Sequence, residues 1–317
     1  MAERLIDRAL LEPVAAGGRF QRQPSRFRDW VSTDGSTPYA AEAGRYHLYV
    51  SWACPWAHRT IIGRRLTRLE DVIGMSIVDP IRDERGWEFT GGEYTDRVNG
   101  FRFLGEAYAA TDPAHKGRLS VPVLWDKQTA RIVNNESSDI LRMFSTAFAA
   151  FGDDDVDLWP APHRDAIDAL NERLYEEVNN AVYAAGFSRD QQDYERIVHR
   201  MFATFDELDA RLADRRFLFG DAPVETDWRL FTTLVRFDAV YNIHFKCSLR
   251  RVVDYPNLWP YARDLYQQPA VAETVRFDDI RRHYYLTHRS INPSGIVAVR
   301  PDEDWSAPHD RARLGAG

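Results

Sequence analysis

The stretch Tyr46-His47-Leu48-Tyr49-Val50-Ser51-Trp52-Ala53-Cys54-Pro55-Trp56-Ala57-His58-Arg59 decides how the first half of this chain folds. Its first five residues are aromatic and β-prone and read as a strand. From Pro55 the spacing turns helical and continues through Thr60-Ile61-Ile62-Gly63-Arg64-Arg65-Leu66. Proline is tolerated in a helix's first turn, where its missing N–H would have had no partner, so the helix opens at Pro55. A cysteine at that junction faces the unpaired N–H groups of the helix. The partial positive charge there favours thiolate over thiol. Free cysteines are often buried and inert; the strand–Cys-Pro–helix setting reverses that reading for Cys54.

Working outward, residues 71–78 read as a second strand, and 79–117 as a long polar and aromatic insertion without a clean helix. Residues 120–126 and 131–133 read as a hairpin. Asn135-Glu136-Ser137-Ser138-Asp139-Ile140-Leu141 reads as a helix start behind a polar cap. This β-α-β…β-β-α order predicts a thioredoxin-like domain over 46–150, preceded by an irregular arm over 1–45. Beyond Trp159-Pro160-Ala161-Pro162 helical spacing dominates, as in the stripe Ile197, Met201, Phe202, Phe205, Leu208 and Leu212. An all-helical domain is therefore expected over 160–290, with an irregular tail over 291–317.

The 317 residues are enough for about two domains. Hydrophobic residues at 44 % supply real cores and disfavour disorder. A net charge of -7 argues against nucleic acid as a partner. Only Cys54 and Cys247 are present, so disulfides do not hold the fold, and a reducing compartment is expected. The first twenty residues lack an apolar signal core and carry Glu3, Asp7 and Glu12. No stretch approaches the roughly 20 apolar residues that span a bilayer. The expected location is the cytoplasm, with no membrane partner.

Three places could carry chemistry. Cys54 has Ala57, not cysteine, three residues on, so an internal C-x-x-C disulfide is impossible and a monothiol cycle remains, with a second small thiol resolving a mixed disulfide. Val121-Pro122 sits where a thioredoxin-like fold commonly holds a cis proline, which would present the Val121 N–H and C=O to an extended peptide; without context most X-Pro bonds are trans. Glu136-Ser137 opens a helix. It could cap it, or it could match the ammonium and carboxylate of a γ-glutamyl group. His244 and Cys247 have metal-like spacing but no second pair nearby, so no metal is expected. Asp153-Asp154-Asp155 reads as a solvated loop. Tyrosines at 183, 241 and 284 lie in the helical half, where packing is the plain reading of each.

At these residues the chain resembles the glutathionyl-hydroquinone reductases, also called Xi-class glutathione transferases. The resemblance rests on Cys54-Pro55-Trp56-Ala57-His58-Arg59, Gly86-Trp87-Glu88-Phe89, Val121-Pro122-Val123-Leu124-Trp125-Asp126 and Asn134-Asn135-Glu136-Ser137. It continues through Asn179-Asn180-Ala181-Val182-Tyr183, Arg236-Phe237-Asp238-Ala239-Val240-Tyr241, His244-Phe245-Lys246-Cys247, and His283-Tyr284-Tyr285 with Ile291-Asn292-Pro293. It runs from about residue 40 to 297.

The resemblance implies a thioredoxin-like domain, an all-helical glutathione-transferase C-terminal domain and a homodimer. It makes Cys54 the nucleophile and places glutathione against Trp87, Arg118, Leu119, Ser120, Val121, Glu136 and Ser137. It makes Tyr183 a proton donor and acceptor, and Tyr241 and Tyr284 hydroxyls that help hold Cys54 as a thiolate. The implied reaction is reduction of a glutathionyl-hydroquinone through a Cys54–glutathione mixed disulfide, with glutathione as cosubstrate. The alternatives are an omega-like thioltransferase or dehydroascorbate reductase, and a non-catalytic binding protein on the same fold. One departure concerns Val224, where the family's helix usually opens with Thr; Thr226 is the candidate replacement cap.

Overall fold

Strands β1 (Val31–Ser32) and β2 (Tyr39–Ala40) precede the sheet that carries the cysteine. The fold is a computed structural model that describes residues 22–315. These fall into two units, Arg22–Asp157 and residues 158–315. In the first unit, β3 (Tyr46–Val50) is buried at every position. It pairs in parallel with β4 (Gly74–Ile77) and antiparallel with β5 (Val123–Asp126). β5 pairs antiparallel with β6 (Arg131–Asn134), giving the order β4-β3-β5-β6. Gly74 faces His47 across the parallel pair, where a Cβ would lie 2.6 Å from His47 Nδ1, so glycine lets the strands close.

Arg45, just before β3, grips Asp126 at the end of β5 through Nε–Oδ1 at 2.9 Å and Nη2–Oδ2 at 2.8 Å. Both side chains are buried, and removing one partner of such a pair typically costs about 3–5 kcal/mol. Helix α1 (Pro55–Leu66) follows β3 with Pro55 in its first turn, as the sequence predicts. A Cβ on Gly63 would collide with Leu141, so glycine sets the close approach of α1 to the helix carrying Leu141.

Two expectations for this unit need correction. The insertion 79–117 contains a short helix, α2 (Gly105–Thr111), packed on β6 through Thr111, whose hydroxyl accepts the Ile132 N–H at 2.8 Å. The loop before it winds on the Asp96 carboxylate, which takes N–H groups of Val98, Asn99 and Phe101 at 2.9–3.2 Å. Side-chain capping of this kind leaves no periodic trace in sequence. The arm expected over 1–45 lies partly outside the described residues. From Arg22 onward it is not irregular: β1 and β2 pair in parallel, and Asp29 N–H bonds the Val133 carbonyl at 3.1 Å. Helix α3 (Ser137–Phe144) follows β6.

The second unit is helical. It holds α4 (Arg164–Leu174), α5 (Ala181–Gly186), α6 (Gln191–Arg211), α7 (Glu225–Arg236), α8 (Leu258–Tyr266) and α9 (Phe277–Thr287). Two wider π-turns, Tyr175–Asn179 and Phe237–Tyr241, interrupt the regular spacing. The α6 stripe buries Met201, Phe202, Phe205, Leu208 and Leu212, with Val198 rather than Ile197 as its first fully covered member. Every residue of α7 is buried.

The α7 cap departs from expectation. Thr226 Oγ1 is buried without a hydrogen-bond partner among the described residues. Asp227 instead reaches back, accepting the Val224 N–H at 2.8 Å and the Leu218 N–H at 3.0 Å. A carboxylate at the third helical position that takes the N-cap N–H is the reaching-back half of a capping box. Burial pushes the Asp227 carboxyl up to about 6 despite these donors. The described part of the tail is irregular except for a 3-10 turn at Arg311–Leu314, and it is fastened. Arg311 is buried and donates to the carbonyls of Leu212 and Arg216 at 3.0 Å and to that of Arg215.

Candidate functional site

The candidate groups form one cluster in each unit. In the first, Cys54 occupies the N-cap of α1 with an extended backbone, and its side chain makes no capping bond. The thiol is thus left over at the end of the helix where the N–H groups point. Cys54 is 8 % exposed, and its Sγ lies 3.5 Å from the Val121 carbonyl oxygen. The Val121–Pro122 bond is cis, as the position in the fold suggested. Val121 N–H has no partner among the described residues. A buried backbone N–H in that state offers itself to an extended ligand.

Glu136 caps α3, and its Oε1 accepts the Ser138 N–H at 3.3 Å and the Ser138 hydroxyl at 3.0 Å. Its Oε2 accepts the Ser25 hydroxyl at 2.9 Å. Burial raises this carboxyl, but the Ser25 and Ser138 donors and the Arg59 charge outweigh it and hold the group below the usual carboxylate range. Glu136 therefore does cap the helix, and it remains an anion suited to an ammonium group. Ser137 begins α3, with its Oγ 3.4 Å from Arg59 Nη1. Arg59 is buried in α1 and stacks on Trp56, its Cζ 4.4 Å from the ring centroid. Trp87 is buried, with the Arg82 guanidinium 5.3 Å from its ring. Arg118, Leu119 and Ser120 are half-buried on the approach to Val121. The first unit thus gathers a thiol, a peptide-like edge and an anion beside a buried cation. These groups suit an extended ligand that carries both an ammonium and a carboxylate.

In the second unit, α5, the second π-turn and α9 bring the three tyrosines together. Tyr284 Oη lies 2.6 Å from Tyr183 Oη and 2.8 Å from Tyr241 Oη. Tyr241 and Tyr284 are fully buried, and Tyr183 is half-buried. Burial first, then the neighbouring phenols, push Tyr241 and Tyr284 well above the ordinary phenol value, so both stay protonated. Phe245 touches all three, with ring centroids 5.3, 5.7 and 5.6 Å from Tyr183, Tyr241 and Tyr284. His244 Nε2 pairs with His288 Nδ1 at 3.3 Å. Cys247 is fully buried, and burial raises its thiol. Among the described residues no group of His, Cys, Asp and Glu is arranged to hold a metal ion. Among them, too, no helix is long and apolar enough to cross a membrane.

Nothing in the sequence by itself marks Ser25, Arg59, Tyr108 or Phe245. Arg59 and Phe245 lie inside the quoted motifs, so their segments were visible but their contacts were not. Ser25 sits in the arm and Tyr108 in the insertion, where no periodicity drew the eye.

Comparisons with known proteins extend this picture. Residues 53–147 match the family model for the glutathione S-transferase N-terminal domain, and 191–264 that for its C-terminal domain. The chain is 47 % identical over 306 residues to the Escherichia coli (strain K12) glutathionyl-hydroquinone reductase YqjG, covering 94 % of this chain and 93 % of that protein. It is 45 % identical over 295 residues to the Sphingobium chlorophenolicum glutathionyl-hydroquinone reductase PcpF, covering 92 % and 93 %. A solved Xi-class glutathione transferase from Natrialba magadii superposes with a TM-score of 0.89 at 49 % identity, covering 90 % of this chain and 89 % of that one. The glutathione-bound YqjG structure superposes at 0.87, covering 90 % and 96 %. The chain belongs to the glutathionyl-hydroquinone reductases, the Xi class of the glutathione transferases.

Proposed function

We propose that this chain reduces glutathionyl-hydroquinones to hydroquinones with glutathione as reductant. The observation that carries the reading is the Cys54 thiol, left uncapped at the N-terminus of α1, with Sγ 3.5 Å from the carbonyl oxygen of Val121, whose own N–H has no partner among the described residues. The substrate class follows from the two reductases with which the chain shares 45–47 % identity. Cys54 as thiolate attacks the sulfur of the glutathionyl-hydroquinone. The carbon–sulfur bond breaks, its electron pair goes to the ring carbon, and that carbon takes a proton to give the hydroquinone. The sulfur is oxidised into a Cys54–glutathione mixed disulfide. A second glutathione thiolate attacks it, releasing glutathione disulfide and restoring Cys54.

In this reading Val121 pairs with the tripeptide backbone, while Glu136 and Ser137 take the charged γ-glutamyl end and Trp87, Arg118, Leu119 and Ser120 complete the wall. Tyr183 supplies the proton, backed by Tyr284 and Tyr241. A cycle that depends on free thiols suits a reducing compartment such as the cytoplasm, and a homodimer is the assembly to look for by light scattering. The test is turnover of a glutathionyl-hydroquinone with excess glutathione, read as hydroquinone and glutathione disulfide in equal amounts. Disulfide exchange without hydroquinone release would instead favour the omega-like thioltransferase reading.

A further inference from the structure

The two loops assigned to glutathione meet at one buried phenol. Tyr108, in α2 of the insertion, is 1 % exposed. Its hydroxyl donates to the Ser120 carbonyl at 2.8 Å and accepts the Ser120 N–H at 3.1 Å. It also accepts Asn135 Nδ2 at 3.1 Å. One oxygen thus holds both backbone groups of the residue before Val121 and the side chain of the residue before Glu136.

The rest of the ring and of Asn135 is fixed as well. Tyr108 packs against Phe27 and His115 at centroid distances of 5.8 and 5.0 Å. Asn135 Oδ1 accepts the Phe27 N–H at 3.2 Å, and Asn135 N–H donates to the Phe27 carbonyl at 2.9 Å. The helix beneath is pinned to β6 through Thr111. Tyr108 Oη has four polar neighbours, the fourth being Ser120 Oγ at 3.3 Å, and a phenol offers one donor and two lone pairs, so its capacity is filled. Burial raises the phenol's pKa, with the Ser120 and Asn135 bonds acting the other way; it is a neutral donor at pH 7.

We propose that Tyr108 is a positioning residue for glutathione: its hydroxyl sets the spacing between the Ser120-Val121 edge and the Glu136-Ser137 helix start. The proposal rests on the placement of glutathione made under the proposed function. Its logic is preorganisation. A tripeptide that pairs with a backbone edge at one end and a carboxylate at the other gains affinity only if both stand at the right separation beforehand.

Tyr108→Phe removes one oxygen and leaves the ring. The Ser120 N–H, the Ser120 carbonyl and the Asn135 amide then lose a buried partner. The expected result is a Kd for glutathione by titration calorimetry raised about tenfold, with KM for glutathione rising in step. The limiting kcat at saturating glutathione should stay within about threefold, and Cys54 should still alkylate to one equivalent. A merely structural loss does the reverse: it lowers kcat through the fraction of active molecules and leaves Kd unchanged. Glu136→Ala and Ser137→Ala are measured alongside. If they weaken glutathione and Tyr108→Phe does not, the Tyr108 inference fails alone. If none of the three changes Kd, the placement of glutathione fails. Should Tyr108→Phe not fold, Asn135→Ser breaks the same junction from the other side. An unchanged Kd in that variant overturns the proposal.

Discussion

Tyr284 Oη lies 2.6 Å from Tyr183 Oη, so the half-buried phenol of α5 is backed by a fully buried one from α9. Tyr241 extends the chain at 2.8 Å. A line of neutral phenols can give up a proton at one end while the next hydroxyl turns to stabilise the charge left behind.

Breaking a carbon–sulfur bond on a quinol ring demands a proton at carbon, and disulfide exchange does not. Tyr183→Phe should therefore lose on the order of a hundredfold in hydroquinone release, and keep most of its activity on a simple glutathione mixed disulfide. Parallel steady-state assays of the two substrates check this. Equal losses on both would remove Tyr183 from the proton step.

Some of this was legible in the sequence and some was not. The strand, Cys54 and the helix opened by Pro55 declare themselves within twenty residues, because Pro and the change of period act locally. Val121-Pro122 and Glu136-Ser137 were readable for the same reason. The tyrosines were not: Tyr183, Tyr241 and Tyr284 come from three separate elements, and only the family resemblance set them together. Asp227, not Thr226, caps α7, because a side chain three residues in reached back, and no propensity rule ranks those two. The arm hides its role in side-chain and backbone bonds that follow no periodicity, such as those from Ser25 to Glu136 and between Phe27 and Asn135.

Glu136→Ala should weaken glutathione about tenfold, the loss of one charge-assisted contact. Its carboxyl is held below the ordinary value, so the anion persists as pH falls and its contribution disappears only below about pH 4.5. Glutathione affinity at pH 5 should thus match that at pH 7 as far as this residue is concerned. Calorimetry at both pH values checks it; unchanged affinity in Glu136→Ala would leave the residue as a helix cap alone.

The C-terminal tail should loosen as pH rises. Glu303 accepts the Trp305 Nε1–H at 3.1 Å, and Asp238 accepts the Val252 and Val253 N–H groups at 2.7 and 3.1 Å. Burial and then the Asp238 charge push the Glu303 carboxyl from 4.5 up to about 7, with Arg300 opposing. Arg251 opposes the rise at Asp238. A raised folded value means the contribution is full below pH 4.5 and is lost as pH climbs through 7. Glu303→Gln should therefore gain Tm relative to wild type at pH 8 and not at pH 4.5. An equal difference at both would contradict the assignment.

Cys247→Ser should retain turnover, because that thiol is fully buried and burial raises it, so no thiolate is available for exchange. Some loss of Tm is expected from placing a hydroxyl there. Loss of glutathione disulfide formation in a folded Cys247→Ser protein would point to a two-cysteine cycle.

In the proposed cycle Cys54 takes the glutathione from the quinol. Intact-protein mass spectrometry after one equivalent of glutathionyl-hydroquinone, without free glutathione, tests it most directly. One glutathione on the protein, mapped to Cys54, is expected, with one hydroquinone released and no adduct in Cys54→Ala. Hydroquinone released while Cys54 stays unmodified, or an alanine variant that turns over at a tenth of the wild-type rate, would contradict it.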